Sequence, residues 1–440
     1  MKKIIAAIFL IVLQSATFAQ SNLLQSGPML GYCEMLEVTI WVQTKEKAKV
    51  YIVYWSVNNK QERHYTNAVT TEKENAFTAL LIADNLEPGN IYGYELFIDN
   101  KLVKLSYPTT FQTQPIWKWR TDPPDFSFIM GSGTYVNEKE HDRPGDSYGS
   151  GYQIFTSMAA LHPDFMIWLG DNIYFREPDW NTKTGIHHRY THTRSLPELQ
   201  ALLASTHNYA IIDDHDHGPN NSDRGFWNKN QTMDAFKLFW ANPSYGVGNI
   251  PGAITSFQWG DADFFLLDNR TYRSPNNRKT VAKSQLGEEQ LQWLIDNLSS
   301  SYATFKFVVL GGQFLSTSPT YESYSNYGFE KERQRIIDYI YAENIKNVIF
   351  LTGDVHFSEI SVLRREWKPT IWDITSSPLT SGVNMYAHEK DNKLRISESV
   401  IMQHNFTEIK LTGSVEERKI TVIYYDSNGN EIWKYEIERE

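Results

Sequence analysis

The chain has 440 residues and a formal charge of −10 at neutral pH, enough length for a large core and two structural units. The acidic balance argues against nonspecific binding to nucleic acid or anionic lipid. Cys33 is the single cysteine, which excludes an intramolecular disulfide, a zinc ribbon and a four-cysteine site, so a metal centre here is built mainly from oxygen donors and imidazole.

Lys2 and Lys3, the apolar run over 4–13 and Ala19 have the three-part layout of a secretory signal peptide spanning 1–19. Cleavage after Ala19 is expected, which takes the charge to −12 and makes the mature protein periplasmic or secreted. No later run is apolar and long enough for a transmembrane segment. Short alternating runs at 36–42, 49–55, 77–82 and 91–98, separated by turn residues such as Asn58-Asn59 and Pro88-Gly89-Asn90, predict an immunoglobulin-like or fibronectin-like β-sandwich over 20–118. Pro123-Pro124 marks the linker.

Beyond it strands and helices alternate. Strands are predicted at 126–130, 165–169, 256–259, 264–267, 305–310 and 348–351, and helices at 152–161, 196–205, 232–240, 284–299 and 330–343. Residues 406–440 return to strands, with 426–430 as a hairpin turn. The pattern predicts an α/β unit over 119–440 with a two-sheet core and helices outside.

Three apolar strands run into chemistry-bearing residues. Residues 165–169 end in Gly170-Asp171 with Tyr174 three positions on, and residues 348–351 lead to Gly353-Asp354 with His356 beyond. In an extended segment Asp354 and His356 point to one side, and the second imidazole nitrogen of His356 has Glu359 or a carbonyl to donate to. Between these stretches Ile211-Ile212 breaks into Asp213-Asp214-His215-Asp216-His217. Packed acids and imidazoles repel one another and lose solvation unless a cation compensates; a solvated loop is the bland alternative. Asn220 and Asn221 follow, and an Asn carbonyl is a plausible neutral ligand. His187, His188 and His192 read as a polar loop outside the site. Arg270 and Arg273 follow another strand, where a guanidinium suits a phosphate and an ion pair with Asp268 is the competing reading.

In this order, Gly131-Ser132-x-Thr134, Gly-Asp-x-x-Tyr at Asp171, Asp-Asp-His-Asp at Asp213, Asp-x-Arg-x-x-Arg at Arg270 and Gly-Asp-Val-His at Asp354 resemble the PhoD-like alkaline phosphatases, within the calcineurin-like metallophosphoesterases. The loop 375–381 is similar to the Thr-Ser turn of that family. The resemblance implies a four-layer α-β-β-α sandwich whose metals lie at the strand ends. It assigns Asp171 as the bridging ligand, Tyr174 to ferric iron, and Asp214, Asn220 or Asn221, Asp354 and His356 to the rest of a cluster of Fe3+ with Ca2+. It places His215 and Arg270 on the phosphoryl group, and His215 or His356 as proton donor to the leaving alcohol. A metal-activated hydroxide is expected to attack phosphorus in small-molecule, lipid or nucleotide phosphate esters, with the protein a monomer. One departure stands out: Gly133 occupies the place where the family usually has a cysteine ligand to iron. A degenerate phosphoesterase-fold surface or carbohydrate-binding protein, and a phospholipase D-like diesterase, are the rival expectations.

Overall fold

The computed structural model describes residues 22–319, 323–387 and 391–440, and the expected signal peptide lies outside them. Among the described residues, nine strands form the N-terminal part: β1 (Leu24–Cys33), β2 (Val38–Thr44), β3 (Lys49–Ser56), β4 (His64–Tyr65), β5 (Val69–Thr70), β6 (Thr78–Ala83), β7 (Ile91–Ile98), β8 (Lys101–Leu102) and β9 (Thr110–Gln112). They make one sheet of order β1-β2-β6 and a second of order β4-β3-β7-β8, with β5 on β3 and β9 on β7. Ile40, Val50, Ile52, Leu81 and Leu96 fill the space between them. The alternation visible in the sequence is that of strands with one face buried.

The first core sheet contains β10 (Phe126–Gly131), β11 (Phe165–Leu169) and β12 (His207–Ile211), all parallel. The second contains β13 (Thr255–Trp259), β14 (Ala262–Leu266), β15 (Phe305–Val309), β16 (Val348–Thr352), β17 (Glu359–Leu363) and β18 (Ile371–Thr375), of which β14, β15, β16 and β18 are parallel. The C-terminal strands β19 (Asn405–Thr412), β20 (Lys419–Asp426) and β21 (Glu431–Glu438) complete the first sheet as an antiparallel meander beyond β10. The turn at 426–430 is the predicted hairpin, closed by Gly429 N–H donating to the Asp426 carbonyl at 3.0 Å.

Helices α1 (Gln153–Ala160), α2 (Lys183–Arg194), α3 (Gln200–Ser205), the single turn α4 (Asp214–His217) and α5 (Lys229–Phe239) precede the second sheet, and α6 (Glu288–Ser300) and α7 (Glu330–Ala342) lie within its crossovers. The architecture is a four-layer α-β-β-α sandwich. Strand β11 shows why: Phe165, Ile167 and Leu169 point between the sheets, while Met166 and Trp168 meet the helical layer. Strand β16 does the same with Ile349 and Leu351 inside and Val348 and Phe350 toward α6 and α7. Both faces are covered, so these strands read as continuous apolar runs. Aromatic rings laminate the middle layer: Phe257 stacks on Phe264 at 4.6 Å and Phe264 on Phe307 at 4.8 Å, which accounts for part of the high aromatic content by packing alone.

Helix α2 corrects the polar-loop reading of His187, His188 and His192. Its buried face is Ile186, Arg189, Tyr190, Thr193 and Arg194, recurring at helical spacing, and Thr182 caps it by accepting the Gly185 N–H. Three of those five buried residues are polar or charged, so the helical period carries no apolar signal. Strands β17 and β18 also went unpredicted, and β12 begins four residues ahead of the Ile211-Ile212 lead-in.

The sandwich joins the core where β1 packs on β12, the edge strand of the first sheet. The Tyr209 hydroxyl accepts the Cys33 N–H at 3.0 Å, the Asn208 side chain donates to the Leu30 carbonyl at 3.1 Å, and His207 Nδ1 donates to the Gly31 carbonyl at 2.9 Å. Gly31 is required by this approach, since an added Cβ would lie 2.3 Å from that of Ala241. Burial lowers the His207 pKa to about 4 from 6.5. The unfolded chain therefore binds a proton that the native seam refuses, and stability is lost as pH falls from about 6.5 to 4, by up to roughly 3 kcal/mol. Urea unfolding of wild type and His207→Gln at pH 7 and pH 4.5 checks this. The variant, which keeps an amide donor for Gly31, is expected to lose less stability on acidification than the wild type.

Candidate metal centre

All the parallel strands of both sheets end on the same side, and the loops leaving those ends converge. From the first sheet come Ser132 and Gly133 after β10, Gly170 and Asp171 after β11, and Asp213 to His217 after β12. From the second come Asn269 and Arg270 after β14, Gly311 after β15, Gly353 to His356 after β16, and Ser376 to Ser381 after β18. Ligands at the carboxyl ends of strands are the rule in open α/β sheets.

Two groups of ligand atoms lie within 4.8 Å of one another: Asp171, Asp214 and His215, and Asp213, Asp214 and Asp354. The backbone bends sharply to deliver them, with φ of 50° at Asp171, 67° at Asp354 and 62° at His356. Left-handed backbone at non-glycine residues costs free energy, and here it sits at three candidate ligands in one place. It also corrects the extended reading of Asp354 and His356. Glycines open the space: a Cβ on Gly170 would lie 2.6 Å from Asp213 Cβ, and one on Gly311 would lie 2.5 Å from the Asp213 carboxyl carbon.

Asp171 is buried, with Oδ2 accepting from the Tyr174 hydroxyl at 3.0 Å and Oδ1 from the His215 N–H at 3.3 Å. Burial, then the charges of Asp214, Asp213, Asp354 and Asp216, push its pKa well above the carboxylate range. For Asp214 burial acts upward too, but His215, Arg270 and the Asn221 N–H outweigh it and hold the carboxyl below the usual range. Asp216 caps α4, accepting from Asp213 N–H at 2.9 Å and Asn172 N–H at 3.1 Å; burial raises its pKa to about 8.

His356 Nδ1 donates to the Gly382 carbonyl at 2.6 Å, so the expected carbonyl partner exists and Glu359 is instead taken by Arg395 and Gln313. This fixes the tautomer with a lone pair on Nε2, 3.3 Å from the Tyr174 hydroxyl, and burial lowers the ring pKa to about 4. Tyr174 packs against His215 with ring centroids 4.2 Å apart and planes tilted by 34°. Tyr148, from the loop between β10 and α1, stands over His356 with its hydroxyl 3.3 Å from Nδ1.

Some predicted residues sit differently. The Asn220 and Asn221 side chains are exposed, and Asn221 reaches the cluster by its N–H, 2.5 Å from Asp214 Oδ2. Arg270 is fully buried and pairs with Asp213 rather than Asp268, which instead accepts the Arg270 backbone N–H at 3.0 Å. Asp213, Asn269, Tyr148 and Ser381 are site residues that sequence reasoning passed over. Asp213 lies beside Asp214 and Ser381 closes the 375–381 loop; Asn269 and Tyr148 carry no local signal.

The donor set fits a hard cation. Acidic side chains crowd beyond what Arg270 neutralises, His215 Nδ1 is buried without a hydrogen-bond partner, and His356 presents an unprotonated nitrogen.

A family model described as PhoD-like phosphatase matches residues 143–420, well over half of the sequence. The chain belongs to this PhoD-like phosphatase family. Alkaline phosphatase D of Bacillus subtilis (strain 168) is 28% identical in a match covering 76% of this chain and 64% of that protein, so the chain spans less than two thirds of that PhoD-like relative. A solved structure titled Structure of PhoD superposes with a TM-score of 0.78 at 19% identity, over 96% of this chain and 91% of the other. Purple acid phosphatase PPD1 from yellow lupin (Lupinus luteus) seeds shares the fold, with a TM-score of 0.66 at 12% identity over 94% and 74% of the two chains. Residues 21–116 match a family model described as Domain of unknown function (DUF7800).

Gly133 is a fitted feature of this PhoD-like chain. Its φ is +76°, and an added Cβ would lie 2.6 Å from Ser381 Oγ and 3.3 Å from Pro378 Cβ. The Ser381 hydroxyl, buried and without a well-formed hydrogen bond, fills the space a side chain at 133 would enter. Gly133→Ala is expected to lower the unfolding free energy by about 1–3 kcal/mol, from left-handed backbone and overpacking. Chemical denaturation of the single variants and of Gly133→Ala/Ser381→Ala checks this: the double variant should be more stable than the sum of the single losses.

Proposed function

We propose that this chain is an exported, metal-dependent phosphoesterase that hydrolyses phosphate monoesters, diesters or both. The observation that carries the reading is the convergence of Asp171, Asp214, Asp354, His215 and His356 at the strand ends of a PhoD-like fold. Asp171, grouped with Asp214 and His215, would bridge two cations, and Asp214 belongs to both groups of ligands; Tyr174, Asp354 and His356 would complete the set, with Fe3+ and Ca2+ as the metals. Asp213 joins it in place of the Asn220 or Asn221 carbonyl. The division into a signal peptide over 1–19, a β-sandwich over 20–118 and a phosphoesterase unit over 119–440 belongs to the same reading.

Bound cations supply Lewis acidity for the phosphoryl oxygens and a water acidified for attack. The protein residues divide the remaining work. Arg270, closed off from solvent, holds Asp213 in place and acts on the ester only through the cluster. His215 is a partly exposed imidazole, which supports its assignment to the phosphoryl group and the departing oxygen. His356 Nε2 carries no proton near neutral pH, which leaves proton donation to His215.

The test is elemental analysis of protein purified without chelators, paired with turnover of a phosphomonoester and a phosphodiester at alkaline pH. Near-stoichiometric iron or calcium with turnover of either ester is expected, and Asp171→Asn should lose both metal and turnover while keeping a cooperative unfolding transition. Undiminished turnover in that variant, or a metal-free and inactive wild type, contradicts the proposal.

A further inference from the structure

A second convergence of ligand atoms lies apart from the catalytic cluster. Glu138 and His141, in the loop after β10, meet His188 on α2: their ligand atoms lie within 4.8 Å of one another. His188 Nε2 is 2.9 Å from Glu138 Oε1, and His141 Nδ1 is 3.0 Å from Glu138 Oε2. A turn sets His141, its N–H donating to the Glu138 carbonyl at 2.8 Å, so the two side chains rise on one side. The His141 and His188 rings meet edge to face, 5.7 Å apart.

Arg189 orients the carboxylate, donating to Glu138 Oε2 at 2.7 Å and to Asp179 at 2.7 Å. One guanidinium shared by two carboxylates leaves a net negative charge beside two imidazoles. Ligands of a tetrahedral ion at about 2.0–2.2 Å stand roughly 3.4 Å apart; both Glu138–imidazole distances already lie within that, and the two half-exposed imidazoles, whose ligand atoms lie within 4.8 Å, need to close by about 1.4 Å at most. Two nitrogens and one oxygen select a borderline first-row cation over calcium or magnesium.

The geometry points to a peripheral divalent transition-metal site, of the zinc class, formed by Glu138, His141 and His188. Its position gives it a purpose. It fastens the loop that carries Tyr148, the residue over His356, to helix α2. His188 belongs to the stretch that reads as an uninvolved polar loop in the sequence, and the site is independent of the catalytic reading.

The test is calorimetric titration of the metal-loaded full-length protein with Zn2+, with iron and calcium content measured before and after. One additional equivalent is expected without loss of the resident metals, and His141→Asn/His188→Gln should weaken its binding by about 100-fold or more while turnover in metal-free buffer is unchanged. His141→Asn alone, on an exposed turn, serves if the double variant does not fold. Uptake must persist in Asp171→Asn. Absence of the extra equivalent, equal affinity in the His variants, or loss of uptake in Asp171→Asn overturns the proposal.

Discussion

The structure depends on mutual repulsion held in place. Asp171, Asp213, Asp214 and Asp354 approach one another where solvent is largely excluded, and the one guanidinium shown to enter the group, that of Arg270, is paired with Asp213. Buried charge of one sign is expensive, and the raised pKa of Asp171 expresses that cost. The sheets supply the rigidity to bear it: three parallel strands with both faces covered, β11, β12 and β16, deliver the four carboxylates from fully buried origins.

Backbone geometry completes the arrangement. Gly170 and Gly311 flank the Asp213 side chain closely enough that any Cβ would collide with it, and left-handed turns at Asp171, Asp354 and His356 aim side chains that regular strand ends would send elsewhere. The same logic applies at Gly133, whose missing side chain is matched by the Ser381 hydroxyl. The loop after β18 occupies the space beside it through Ser381 and Pro378.

Much of this was legible from residue order. Apolar runs ending in Gly-Asp mark both β11 and β16, because strands buried on two faces are continuous in hydrophobicity and the break to Gly-Asp is abrupt. The layers followed from alternating strands and helices. Other features were hidden for physical reasons. Helix α2 buries Arg189 and Thr193, so its period is not apolar. Asp213 and Asp214 are neighbours of equal chemistry, and only the fold turns one toward Arg270 and the other toward the Asn221 N–H. Tyr148 arrives from a distant loop, and no local pattern announces it.

The central claim is that the carboxylate cluster is stable only with a cation to hold. A raised carboxyl pKa means stability present at low pH and lost as pH rises through the folded value, so the metal-free protein is weakest in alkaline solution. The direct measurement is the unfolding midpoint at pH 8 of the metal-loaded protein, the chelator-stripped protein and stripped Asp171→Asn. The account predicts that stripping lowers the midpoint and that the stripped variant unfolds above the stripped wild type. Equal midpoints for loaded and stripped wild type would contradict it.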